Sequence, residues 1–199
     1  MVSESSRTKY LKDGTAVIVR EKTLDDLDAS MQFYASMPEQ ERELMRIDVT
    51  DRSVVEGRLM EIEKGNFFRL VAEVEGKFIS EAILEDLRYG WMRRTGEIRI
   101  LILPEFRDTD LARIITREIF LNAARRGLNN LIARVLDGET WMYDTLKKLH
   151  FKHEATQKRH AVDLHDNQHD VHLMTFSLSG MWQDIENAIL ESIASPREY

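Results

Sequence analysis

Between Glu97 and Arg126 the hydrophobic period of the chain changes once, from two to that of a helix, across a single short loop. In EIRILIL, Glu97 to Leu103, the residues Ile98, Ile100 and Ile102 fall on one side and Glu97, Arg99 and Leu101 on the other. From about Thr109 to Arg126, Leu111, Ile114, Ile115 and Ile119 form an apolar stripe, and Gly127 closes the helix. A strand that ends in a loop and feeds straight into a helix presents unpaired N–H groups at the positive end of the helix dipole. That is a generic anion site, suited to a pyrophosphate.

The rest of the chain surrounds this unit with interleaved strands and helices. Residues 1–14 read as a flexible tail. Thr15 to Glu21 reads as a first strand. Thr23 offers an N-cap with Asp26 three places on, and Leu24, Leu27, Met31 and Tyr34 carry a helix to about Met37. Pro38 breaks it; further helices are expected over Pro38 to Met45 and from about Thr50, where Val54, Val55, Leu59 and Ile62 share a face. Phe67 to Val74 and Lys77 to Leu87 flank Glu75-Gly76 as a hairpin. Beyond the central unit come a strand from Leu131 to Leu136, a helix from Thr140 to Leu149, and strands from His153 to Leu164 and Asp170 to Leu178. Trp182, Ile185, Ile189 and Ile193 mark a C-terminal amphipathic helix within residues 180–199. The expected fold class is α/β (α+β), a mixed sheet with helices on both faces, forming one domain over residues 15–179.

Composition removes several classes of function. The chain has no cysteine, which excludes disulfides, thiolate metal sites and a cysteine nucleophile. A net charge of −7 makes it a poor binder of nucleic acid and suits a cationic acceptor such as an amine. Its longest apolar run, Ile100 to Leu103, is too short for a bilayer, and Met1 to Asp13 is polar without an apolar centre. A cytoplasmic, bacterial-type protein is the expectation, with no membrane partner. Five of the six histidines lie between His150 and His169, and the sixth is His172; His165, His169 and His172 straddle a turn, with His169 and His172 on opposite strand faces, so no metal is expected.

The segment EIRILILPEFRDTDLARIITREIF resembles the acetyl-CoA-binding motif of the GNAT N-acetyltransferase superfamily. VLDGETWMYDTLKKLHF, Val135 to Phe151, resembles that family's next strand and helix, and the resemblance extends from Thr15 to Ser179. FYASMPEQERELMRIDVTD and LVAEVEGKFISEAIL look most like bacterial protein-lysine acetyltransferase modules. The resemblance implies a mostly antiparallel central sheet and acetyl-CoA as acyl donor. It places the pantetheine arm along Leu101, Ile102 and Leu103, and the pyrophosphate against Arg107, Asp108, Thr109, Asp110, Leu111 and Ala112. It also aligns Glu97 with the acidic residue that some members use as general base.

The chain departs from the family pattern at three places. Asp110 stands where a glycine usually lets the backbone approach the phosphates, and Asp108 adds a second carboxylate. Two anions beside a pyrophosphate oppose binding by about 1 kcal/mol per solvated pair; as helix caps, the same residues stabilise. Leu146 occupies the place of the family's general-acid tyrosine, leaving Tyr143 as the nearest candidate, and His150 replaces the glycine before Phe151. Glu97 could instead pair with Arg93, Arg94 or Arg99 at a strand end, and Tyr143 could simply pack. Two readings stand: an acetyltransferase acting on a small-molecule amine or a protein lysine, or a degenerate GNAT-fold module that binds or regulates. A homodimer contact through the Trp182 helix is left open.

Overall fold

The structure, a computed structural model, describes residues 6–181. The predicted C-terminal helix with Trp182 lies outside the described residues. Among those residues, eight strands form one sheet: β1 (Arg7–Tyr10), β2 (Ala16–Glu21), β3 (Phe67–Val74), β4 (Lys77–Asp86), β5 (Thr95–Ile102), β6 (Asn130–Leu136), β7 (Lys152–Val162) and β8 (Gln168–Ser177). Their spatial order is β1-β2-β3-β4-β5-β6-β8-β7. Every neighbouring pair is antiparallel except β5 and β6, which run parallel.

Among the described residues the α-helices are α1 (Leu27–Ala35), α2 (Glu39–Glu43), α3 (Arg52–Met60), α4 (Leu111–Arg125) and α5 (Thr140–Lys148). Asp26 reaches back to the Thr23 N–H at 2.7 Å ahead of α1, as the Thr23/Asp26 spacing predicts. Asp51 caps α3 by accepting from the Ser53 N–H at 2.8 Å. Between β3 and β4, Glu75 and Gly76 both take positive φ, 51° and 75°, the geometry of a tight primed hairpin turn.

The sheet divides the interior into two layers. On one face, Ile98, Ile100 and Ile102 pack with Leu111, Ile115 and Ile119 of α4 and with Met142 and Leu146 of α5. On the other, Leu101 and Leu103 join Phe33, Tyr34, Met37, Val49 and Val55 from the α1–α3 side. The alternation read in EIRILIL is therefore the division between the layers. The boundaries of the central elements shift by two residues or so from the sequence reading, as helix and strand ends commonly do.

The N-terminal segment corrects the sequence reading. Arg7–Tyr10 is not a loose tail but an edge strand, paired from Arg7↔Val19 to Tyr10↔Ala16. Its side chains remain largely exposed, with Tyr10 68% accessible, so its sequence lacks the apolar alternation by which a strand is recognised. Leu11, just beyond it, is buried.

Candidate active site

The parallel β5–β6 ladder holds only three pairs, Thr95↔Asn130, Gly96↔Leu131 and Glu97↔Ile132. Gly96 sits at this junction because the strands approach closely there. A Cβ on it would lie 2.7 Å from Leu84 Cδ1 and 2.8 Å from Leu128 Cδ1. Beyond Glu97 the two strands separate while β5 remains paired with β4 as far as Ser80↔Ile102.

An antiparallel strand turns alternate peptide groups toward opposite neighbours. The Thr95 carbonyl accepts from the Leu87 N–H and the Leu103 N–H donates to the Ile79 carbonyl, so odd-numbered positions serve β4. Ile98, Ile100 and Ile102 consequently turn their peptide groups toward the opened β6 side. Of the pantetheine residues expected from the sequence, Ile102 keeps its peptide group on the cleft. Leu101 and Leu103 turn theirs into the β4 ladder, although the Leu101 side chain lines the cleft. The cleft is completed by Met37, Glu41, Met45, Arg107 and the Gly138–Met142 segment that begins α5.

Past Arg107, which lines the cleft, the chain enters α4. Thr109 Oγ1 accepts from the Leu111 N–H at 3.2 Å and donates to the Phe106 carbonyl at 2.6 Å. The Ala112 and Arg113 N–H groups have no acceptor among the described residues. Asp110 adopts φ −86° and ψ 13°, so this loop makes no demand for the left-handed conformation that glycine supplies. Its carboxylate faces the β1–β2 turn, accepting from the Lys12 N–H at 3.1 Å and pairing with Arg113 at 3.3 Å. Burial opposes its ionisation, but the Lys12 and Arg113 bonds outweigh that and hold its pKa low. Asp108 is exposed. The corrected edge strand thus explains the aspartate: Asp110 fastens the β1–β2 turn to the helix.

Arg107 stands at the mouth of the cleft. Its guanidinium binds Glu41 of α2 through both oxygens, at 2.7 and 2.5 Å. Its Nε donates to the Ile102 carbonyl at 3.0 Å, and the group stacks 4.7 Å from the Trp141 ring centre.

Glu97, at the vertex where β5 and β6 part, is 5% exposed. Arg46 binds its Oε1, and Arg134 Nη1 lies 2.5 Å from its Oε2. None of Arg93, Arg94 and Arg99 is the partner; Arg99 pairs with Glu139. Both carboxylate oxygens of Glu97 are thus committed to guanidinium groups. Its cross-strand neighbour in the β4–β5 ladder is Glu85, a half-buried carboxylate with no hydrogen bond or ion pair to any described residue. Burial first, and then the charge of Glu97, push the Glu85 pKa above its usual value, against the pull of Arg58 and Arg46. Glu85 and Glu97 line a pocket of about 60 Å³ on the α1–α3 face, together with Tyr34, Met45, Arg46, Arg58, Arg69 and Leu101. Met45 and Leu101 also line the β5–β6 cleft, so the two spaces adjoin.

The other predicted catalytic residue, Tyr143, is placed elsewhere. It packs against His172 and His153, with ring centres 5.1 and 6.0 Å away, and does not line the cleft. Sequence reasoning did not single out Glu85, Arg69, Glu41 or Arg134. For the strand residues the available signal was a charge at every fourth position of otherwise apolar strands, Arg69 and Glu73 in FFRLVAEV and Lys77, Glu81 and Glu85 in KFISEAILED.

The histidines form local ties. His169 lies between Asp137 Oδ1 at 2.9 Å and Asp163 Oδ2 at 3.0 Å, and His165 faces Glu43 at 3.0 Å. Among the described residues, no three metal-ligating side chains converge on a site. The Asp163 and Asp137 bonds raise the His169 pKa above 6.5. The folded state therefore holds this proton more tightly than the unfolded chain. The resulting stabilisation is full below about pH 6.5 and is lost as pH rises through the folded pKa. The melting temperature of His169→Gln should fall furthest below wild type near pH 5.5 and approach it near pH 9; a gap independent of pH would refute the ion pair.

No protein-family model and no curated protein matches the sequence. Solved structures do match the fold. The GNAT domain of S. lividans PAT superposes with a TM-score of 0.71 at 16% identity, covering 89% of this chain and 99% of that one. YncA from Salmonella typhimurium, solved with its cofactor acetyl-CoA, gives 0.66 at 20% identity over 81% and 94%. The ribosomal-protein-alanine N-acetyltransferase of Brucella melitensis gives 0.67 at 21% over 80% and 98%. The chain has the GNAT fold. No helix among the described residues is long and apolar enough to cross a membrane.

Proposed function

We propose that this GNAT-fold chain is an N-acyltransferase that moves an acetyl group from acetyl-CoA to an amine. The observation that carries the reading is the separation of β5 from β6 after Glu97, which leaves the Ile98 and Ile100 peptide groups, outside the β4 ladder, on the side of a cleft lined by Ile100, Ile102 and Arg107 of the loop that leads into α4. These groups fit the donor: an amide-bearing arm can pair with β5, and a pyrophosphate can take the Ala112 and Arg113 N–H groups with Arg107. Acetyl-CoA supplies a thioester whose carbonyl carbon a neutral amine can attack.

The chain's own work is then to place the amine and take its proton. Glu85 receives that proton, because it is uncommitted and its raised pKa makes it a better base than an ordinary carboxylate. Glu97, held by Arg46 and Arg134, acts through Glu85 by keeping a negative charge opposite it on the neighbouring strand.

The Arg107–Glu41 pair favours a second reading, a module whose donor site is closed. Calorimetric titration with acetyl-CoA separates the two. The transferase reading expects a micromolar Kd, tightened about fivefold in Glu41→Gln, where Arg107 no longer has to leave a carboxylate. If neither protein binds up to millimolar concentration, the chain is a binding or regulatory module.

A further inference from the structure

The pocket beside the proposed proton acceptor contains a cation with an unused face. Arg69 is 4% exposed and reaches into this pocket from β3. Its Nη1 donates to Glu81 at 3.2 Å, while Nε and Nη2 are buried with no partner among the described residues. A buried donor without an acceptor costs about 1–3 kcal/mol, and here two lie on one guanidinium. Nε and Nη2 form the side-on edge that meets the two oxygens of a carboxylate.

The surrounding charges do not supply that carboxylate. Glu81 is fully buried and is already shared by Arg69, Lys22 at 2.9 Å and the Tyr34 hydroxyl at 2.6 Å. Glu97 is taken by Arg46 and Arg134, and Arg58 by Glu61. One carboxylate on a pocket wall is uncommitted, that of Glu85. Arg69 stands opposite Ile83 in the β3–β4 ladder, and Glu85 lies two residues along on the same face. Directly opposite and diagonal neighbours on one sheet face stand within about 5 to 8 Å. The residue with the unused cationic fork and the residue with the unused carboxylate thus line one small space, walled by Tyr34, Ile47, Val49 and Leu101.

Resting on the transferase reading, we infer that the acceptor is a small molecule carrying both an amine and a carboxylate, an α-amino acid in the simplest case, with its carboxylate on Arg69 and its amine at Glu85. The volume of about 60 Å³ accommodates the two polar groups and few carbons, which favours a free small molecule over a protein lysine. In the transfer, the new bond joins the amine nitrogen to the acetyl carbon and the carbon–sulfur bond breaks. The amine proton goes to Glu85, and the CoA sulfur leaves as a thiolate that takes up a proton.

The test compares L-alanine with ethylamine and L-serine with ethanolamine as acceptors, together with a lysine-containing peptide, by release of CoA from wild-type protein. The amino acids should exceed their decarboxylated partners in kcat/KM by about tenfold to a hundredfold, the worth of hydrogen bonds to a charged group. In Arg69→Lys, which retains a cation opposite Glu81, the preference should disappear. Equal or better use of the decarboxylated amines or of the peptide overturns the proposal, and needs no variant. A thermal shift with the amino acids alone reads the pocket independently of catalysis. If they stabilise wild type but not Arg69→Lys while acetyl-CoA neither binds nor reacts, the pocket stands and the transferase reading falls. If acetyl-CoA binds and amines react without regard to a carboxylate, the reverse holds.

Discussion

Glu81→Gln should lower the unfolding free energy by about 3–5 kcal/mol, the cost of stripping buried charges of their counter-ion. Glu81 is completely buried on β4, with Lys22 and Arg69 on its two oxygens and Tyr34 donating to one of them. Without it, two cations would remain in an apolar layer bounded by Tyr34, Val71 and Phe78. The loss is a large share of the roughly 5–15 kcal/mol that holds a domain folded. Lys22→Met provides the contrast. The Lys22 ammonium lies within 2.9 Å of Glu81 but off the line of a hydrogen bond, and burial lowers its pKa despite Glu81. A lysine whose folded pKa is depressed binds its proton less tightly when folded, so at neutral pH it works against stability. Removing it leaves Glu81 matched to Arg69, and the cost should be far smaller. Urea unfolding of the two variants decides the point: equal losses would mean that Lys22, not the doubly engaged carboxylate, holds the cluster together.

That cluster also shows where sequence reasoning stops. The strands from Phe67 to Leu136 and the α4 and α5 helices were legible because their apolar residues recur at the period of the element they form, over neighbouring positions. The β5–loop–α4 unit was legible for the same reason, and with it the fold. The β1 strand was not, because an exposed edge leaves little apolar alternation. The site was half legible. Glu97 lay at the strand start as expected, but what it touches comes from residues 46 and 134, far away along the chain. The Arg69–Glu81 and Tyr34–Glu81 bonds likewise join separate elements. Periodicity shows that Glu81 and Glu85 share a face of β4, but it is the β-bulge at Ala72/Glu73 that brings Arg69 of β3 onto that face, and periodicity does not show which helices cover it, which charges cancel or which remain unused. Asp110 is the instructive case. In sequence it opposes a phosphate site, whereas in the fold its carboxylate is occupied by Lys12 and Arg113.

Glu85→Gln should reduce kcat by about 10²–10⁴ at neutral pH, the usual contribution of a positioned base, while the Kd for acetyl-CoA stays at its wild-type value. An amide cannot take the amine proton, and Glu85 lies outside the residues that line the β5–β6 cleft. The pH profile separates Glu85 from Glu97. Glu85 must be ionised to act, so the rate should rise with pH through its folded pKa, which burial, Glu97 and Glu61 raise and Arg58 and Arg46 lower. In Glu97→Gln one negative neighbour disappears and Arg46 loses its counter-ion, so the Glu85 pKa should fall and the acidic limb of the profile should move to lower pH. If Glu97 were itself the base, that variant would instead lose turnover at every pH and leave no limb to move. A carboxylate held by two arginines is thus expected to tune its neighbour, and the carboxylate left without a partner is the one placed to accept a proton.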